Sequence, residues 1–143
     1  VLLEYGADVD AVSREGLSPL SYSTSQGTTR SSVTATLLSY GANPNRRGSG
    51  NEGMGALEYL CLKFSEPDKA LESTRKLDLL LEAGADIDQR NGSGKSPLLV
   101  AAACNDFVYI TSLLHRGASV AIADVEGRAV LHHVALEGTW EAI

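Results

Sequence analysis

The feature that most constrains this chain is a nine-residue segment that occurs four times, as Leu2–Asp10, Leu37–Asn45, Leu80–Asp88 and Leu113–Ala121. Each copy opens with paired leucines and runs into Gly-Ala, at Gly6, Gly41, Gly84 and Gly117. The four glycines are separated by 35, 43 and 33 residues. A period of that length marks supersecondary units that recur along the chain. One such unit cannot bury its apolar face alone, so neighbours must stack.

The chemistry of the segment dictates its local structure. Paired leucines two residues before Gly-Ala read as the last turn of an amphipathic helix. The glycine takes the left-handed conformation that ends it, which a Cβ opposes. The residues after it alternate polar and apolar, as in Asp8-Val9-Asp10 and Asp86-Ile87-Asp88, which predicts a short extended arm. A second glycine follows the first after 10, 12, 10 and 10 residues, at Gly16, Gly53, Gly94 and Gly127, and predicts the turn of a hairpin-like finger. Helix starts come two residues later. Ser18-Pro19-Leu20 and Ser96-Pro97-Leu98 carry a capping hydroxyl followed by a proline at the first helical position. Gly55-Ala56-Leu57 and Ala129-Val130-Leu131 are weaker copies.

On these residues the chain resembles the ankyrin-repeat family, whose units carry a T-P-L-H-x-A signature. The stretch Gly94-Lys95-Ser96-Pro97-Leu98-Leu99-Val100-Ala101-Ala102, closed by Leu113-Leu114-His115-Arg116-Gly117-Ala118, is the nearest copy. Asn105 stands where the family places a glycine between two helices, and asparagine tolerates the left-handed region. The resemblance implies an all-α solenoid of helix-turn-helix units joined by β-hairpin-like fingers. It divides the chain into a partial repeat over 1–14, repeats over about 15–50, 51–92 and 93–125, and a partial repeat over 126–143. Neither end shows a polar capping unit, so the chain reads as a fragment of a longer repeat protein.

The family's threonine–histidine pair is never complete here. Ser18 faces Ser21, Gly55 faces Glu58, Ser96 faces Leu99 and Ala129 faces His132, which predicts units less rigid than an idealised array. Ser23-Thr24 replaces the usual alanine pair and predicts weaker helix packing there. The following helix offers only Val33, Ala35, Leu37 and Leu38 as apolar anchors. The third unit carries eight extra residues around 64–70. Ser65 and Asp68 resemble a capping-box start, so the insertion is expected to lengthen the second helix at its beginning and to enlarge the loop before it.

Function classes are narrowed by charge and by what the motifs lack. The net charge is −6, and the basic residues are scattered, with Arg46–Arg47 as a doublet, which argues against a nucleic-acid binder. The longest apolar run, Leu98 to Cys104, is far too short for a membrane span. Cys61 and Cys104 lie 43 residues apart and read as isolated thiols of an intracellular protein, Cys61 being a small core residue. Gly92-Ser93-Gly94-Lys95-Ser96 contains Gly-Lys-Ser, but Gln89 stands where a phosphate loop needs its first glycine. His132 and His133 point apart on a helix, and neither they nor His115 share metal-ligand spacing with the cysteines. Cys104 and His132 lack a third catalytic member. Asp8, Asp10, Asp86 and Asp88 read as solvated charges on the arms. No catalytic residue, cofactor or metal is therefore expected.

The resemblance implies a non-catalytic scaffold that holds a partner protein or peptide on the concave face, made of finger tips and first helices. Carried over by position, the finger tips bring forward Arg14, Glu15, Leu17, Glu52, Met54, Ser93, Lys95, Glu126 and Arg128. Tyr22, Gln26 and Tyr59 join them from the first helices, with Ser21, Ser25, Glu58, Ala103, Leu136 and Glu137 at flanking positions. Tyr22 and Tyr59 align in successive units and suit interface anchors or inter-helix packing equally. Lys95 and Arg128 suggest a basic edge suited to an acidic peptide. A second reading is a structural spacer or regulatory arm of a larger enzyme or signalling protein.

Overall fold

The computed structural model describes residues 1–26, 30–49, 52–64 and 69–136, with the backbone alone for 62–64. The expected boundary at Gly50 and Asn51, the Ser65–Asp68 capping box and Glu137 lie outside the described residues. Among the described residues seven helices follow in order: α1 Pro19–Ser25, α2 Ser31–Ser39, α3 Ala56–Phe64, α4 Ala70–Glu82, α5 Pro97–Ala103, α6 Phe107–His115 and α7 Val130–Leu136. The fold is all-α, and the described extended structure is an isolated antiparallel bridge between Ala123 and Ala129. Helices pair as α1–α2, α3–α4 and α5–α6, while α1 packs on α3, α3 on α5, α5 on α7 and α2 on α4. The core runs between these rows through Leu20, Leu57, Leu60, Leu77, Leu98 and Leu113.

Helix starts and stops follow the local chemistry. Ser18 and Ser96 cap α1 and α5, accepting from the amides of Ser21 at 3.2 Å and Leu99 at 3.4 Å, with Pro19 and Pro97 next in line. Where the cap position carries no hydroxyl, the residue three places on reaches back instead. The Glu58 carboxylate accepts from the Gly55 amide at 2.9 Å, and His132 Nδ1 from the Ala129 amide at 3.2 Å. Each unit thus keeps one half of a reciprocal cap. Helix ends close at Gly41, Gly84 and Gly117, whose φ values are +85°, +91° and +90°. The following alanine amides return to Leu37, Leu80 and Leu113 at 3.0, 2.9 and 3.1 Å, as in a Schellman turn. Asn105, at φ +58°, is the one described residue other than glycine in the left-handed region.

The insertion lengthens both helices of its unit. α4 has 13 residues against nine in α2 and α6, and α3 has nine against seven in α1 and α5. The added first turn of α4 carries Glu72, whose carboxylate accepts from the Ser31 amide at 2.7 Å and so caps α2 of the unit before. That contact pulls the Glu72 carboxyl below its ordinary range.

The expected weak point in the first unit is polar but satisfied. Ser23 and Thr24 are buried, and Ser23 Oγ lies 3.0 Å from Thr34 Oγ1 across the α1–α2 contact while donating to Leu20 O at 2.8 Å. Of the anchors expected in α2, Val33 is 46% exposed, and the fully buried residue is Thr34. The reason is positional. Val33, Lys76 and Tyr109 stand eight residues before their capping glycines. Lys76 and Tyr109 each reach the first helix of the preceding unit: Lys76 Nζ donates to Ser23 O at 2.7 Å and Gln26 O at 3.3 Å, and Tyr109 Oη to Leu57 O at 2.7 Å. Among the described residues no helix precedes α1 for Val33 to reach.

Candidate functional site

The fingers are hairpin turns braced by side chains at their bases. Ser13, Asn91 and Asp124 occupy one position in three units. Asn91 Oδ1 accepts from the Ser93 and Lys95 amides at 3.0 and 2.9 Å, and Asp124 Oδ1 from Glu126 and Arg128 at 3.0 and 2.9 Å. Ser13 Oγ accepts from Glu15 and Leu17 at 3.3 Å each. The second finger has Gly48 at this place and no side chain to offer; Arg47 Nε donates to Gly53 O at 3.2 Å instead. Neighbouring tips join through their backbones, the Gly92 amide donating to Glu52 O at 2.6 Å and the Val125 amide to Ser93 O at 3.3 Å. Arg90 spans two fingers, donating to Gly94 O and to Ala123 O.

The acidic arm residues are not merely solvated, which corrects the expectation for them. Asp8 and Asp86 accept from the amides of Asp10 and Asp88, both at 3.0 Å, holding each arm in an Asx turn. Asp10, Asn45 and Asp88 then accept from the next unit's Asn43, Asp86 and Ser119 amides at 3.1, 2.7 and 2.9 Å. The ladder ties each arm to the start of the next.

These ties decide which candidate residues remain at the surface. Arg14, Glu15, Glu52, Glu126, Tyr22 and Gln26 are exposed, while Leu17, Met54, Tyr59, Ser93, Lys95 and Arg128 are half-buried. Ser21 and Glu58, expected as flanking contacts, are each 2% exposed and turn inward as capping groups. Burial pushes the Glu58 carboxyl above its ordinary range. The basic edge is also not as expected. Arg128 is tied to Asp124 at 3.0 Å and Glu126 at 2.9 Å, which leaves Lys95 as the cation of that pair not held in an ion pair among the described residues. His133, not His132, completes the same cluster, its Nε2 lying 3.0 Å from Asp124 Oδ2. Burial would raise the Asp124 carboxyl, yet the bonds from Arg128, His133 and the Glu126 amide hold it far below the usual range.

Glu15 and Tyr22 of one unit recur by position as Glu52 and Tyr59 in the next. Tyr22 Oη donates to Glu15 Oε2 at 3.0 Å. Burial first, and then the Glu58, Glu15 and Glu52 carboxylates, raise the Tyr59 hydroxyl above its ordinary range. Tyr22, Leu17 and Gln26 also line an apolar groove of about 670 Å³ with Val33 and Leu37. The Gly92–Ser96 stretch forms a finger tip and the α5 cap. Among the described residues, no group of three His, Cys, Asp or Glu side chains could hold a metal ion. No described helix is long and apolar enough to cross a membrane.

No protein-family model matches the chain. Over 55 residues, 38% of this chain, it is 42% identical to the transient receptor potential cation channel subfamily A member 1 of Homo sapiens, covering 5% of that protein. Over 59 residues, 41% of this chain, it is 42% identical to the NF-kappa-B inhibitor delta of Mus musculus, covering 18% of it. The chain therefore spans less than a fifth of either relative. Both partial matches are to proteins known for ankyrin repeats, which hints at similarity to that repeat.

Proposed function

We propose that the chain is an ankyrin-type solenoid acting as a non-catalytic module that binds a partner protein along its finger tips and first helices. The observation that carries this reading is the exposed Tyr22–Glu15 pair, repeated by position as Tyr59 and Glu52 in the next unit, at a surface whose neighbouring positions are spent on caps and ties. Residues that repeat between units do structural work, while the tips differ from unit to unit. Aromatic rings beside carboxylates suit a basic segment of the partner, since they combine apolar area with acceptors for Lys or Arg. With Arg128 neutralised, an acidic peptide is the poorer fit. The partial match to a protein named as an inhibitor of NF-kappa-B is in keeping with a role exercised by binding. Two cysteines without a disulfide fit an intracellular setting.

Selection from a displayed random-peptide library tests the reading. Lys- or Arg-containing segments are expected to be enriched, with affinity falling as salt rises. A variant carrying Glu15→Lys, Glu52→Lys, Tyr22→Ala and Tyr59→Ala is expected to lose them while circular dichroism shows its helices kept. Peptides without basic residues, or binding unchanged in that variant, would refute the assignment of this surface.

A further inference from the structure

The Arg46-Arg47 doublet stands three and two residues before Ser49, which lies between two glycines in the sequence. Ser49 is outside any helix and exposed, on the second finger, with its backbone against Gly16 of the first. Among the described residues neither its hydroxyl nor the Arg46 guanidinium makes a hydrogen bond or ion pair. This finger also lacks the brace of the others. Ser13, Asn91 and Asp124 each accept two amides of their own tips. At the same place Gly48 has its backbone bond to Met54 O at 3.0 Å, and Arg47 reaches Gly53 O at 3.2 Å. A segment held by fewer ties opens locally at lower cost.

Other arginines precede serines, but the fold withholds them. Arg90, three residues before Ser93, is tied to Gly94 O and Ala123 O, and the Ser93 backbone is bonded through both its amide and its carbonyl. Arg116, three residues before Ser119, is tied to Asp78 and to Ser112 O, while the Ser119 amide donates to Asp88. Ser31 and Ser32, which follow Arg30, are wound into the first turn of α2.

We propose that Ser49 is a phosphorylation site, modified by a protein kinase whose cleft offers carboxylates to the Arg46-Arg47 doublet. A guanidinium pairs bidentately with a carboxylate, so arginines at a fixed distance from a hydroxyl supply both affinity and register. The kinase brings a nucleoside triphosphate. Ser49 Oγ attacks its γ-phosphorus, a P–O bond forms, the bond to the bridging oxygen breaks, and the nucleoside diphosphate leaves. The hydroxyl proton passes to a carboxylate of the kinase. The product carries roughly −1.5 to −2 of added charge near neutral pH, placed where the second finger meets the finger of Glu15.

The test incubates the full chain with magnesium ATP and the catalytic subunit of the cyclic-AMP-dependent protein kinase, an arginine-directed enzyme. It reads intact mass and a mapped phosphopeptide, beside a synthetic peptide covering residues 43–54. One phosphate on Ser49 is expected in the folded chain as in the peptide, with circular dichroism showing the helices kept. Ser49→Ala is expected to take up none. Arg46→Ala is expected to slow incorporation at least about tenfold, as the loss of one charge-assisted hydrogen bond would. Since Arg46 ties no other described side chain, that slowing reads recognition and not folding. Phosphate on Ser93, Ser119, Ser31 or Ser32 in place of Ser49, or an Arg46→Ala chain modified at the wild-type rate, would overturn the proposal. So would a peptide that is modified while the folded chain is not, or no incorporation into either.

Discussion

Alanine at Gly16 is expected to cost more than alanine at Gly84, although the two glycines hold nearly the same backbone conformation. Their φ values are +80° and +91°, so the intrinsic strain of adding a Cβ is shared. That strain is about 1–2 kcal/mol, offset by about 0.4–1 kcal/mol because alanine also restricts the unfolded chain. At Gly84 nothing lies within 4 Å of the added carbon, and the net loss should be near 1 kcal/mol, the middle of roughly 0–1.6 kcal/mol. At Gly16 the Cβ would stand 2.5 Å from the Ser49 amide nitrogen and 3.0 Å from Ser49 Cβ, against the backbone of the next finger. Backbone cannot swing aside as a side-chain end can, so overpacking adds about 1–3 kcal/mol. With each kcal/mol worth about 2–4 °C in a domain a little larger than this one, the Gly16→Ala midpoint should lie roughly 2–12 °C below that of Gly84→Ala. Parallel thermal and urea melts followed by circular dichroism measure the difference. Gly127→Ala, at φ +76° with open space around it, should behave like Gly84→Ala. Equal midpoints for Gly16→Ala and Gly84→Ala would refute the stacking of the first finger on the arm of the second.

Two further outcomes follow from buried polar groups. Tyr109→Phe removes the 2.7 Å bond to Leu57 O while keeping the ring, and should cost about 0.5–1.5 kcal/mol in urea denaturation; no loss would mean that the ring alone joins α6 to α3. Glu58 and Asp124 should act on stability in opposite directions with pH. The folded state raises the Glu58 carboxyl above 4.5, so its contribution is best below that value and is lost as pH rises through the raised pKa. Asp124 is lowered from 3.8, so its contribution holds above that value and is lost as pH falls. Glu58→Gln, which keeps an acceptor for the Gly55 amide, should remove the first dependence and leave the second, as pH-stepped melts would show.

What could be read from the residues was what a single residue does to its own backbone. The capping glycines, the Ser-Pro starts of α1 and α5 and the left-handed Asn105 all follow from the φ and hydrogen-bonding needs of one position, so no neighbour had to be known. Readings that needed a partner fared differently. Lys76 and Tyr109 make the same inter-unit tie, yet one is a cation and the other an aromatic ring, and only counting back from the glycines pairs them. The carboxylates of Asp10 and Asp88 looked like solvated charges because the amide each accepts lies one unit further on; the recurrence of Asx four residues after the first glycine was the available signal. The same blindness affected the site. Ser21 and Glu58 were expected as flanking contacts, but each stands three residues after its cap position, and its side chain turns back to the cap and is buried. Arg128 looked like half of a basic edge until Asp124 and Glu126 closed on it. A repeat sequence thus announces where its chain turns, because that demand is local and recurs. Which exposed charge is available to a ligand is set by the neighbouring unit, and differs at each interface for the same reason that the tips can be specific.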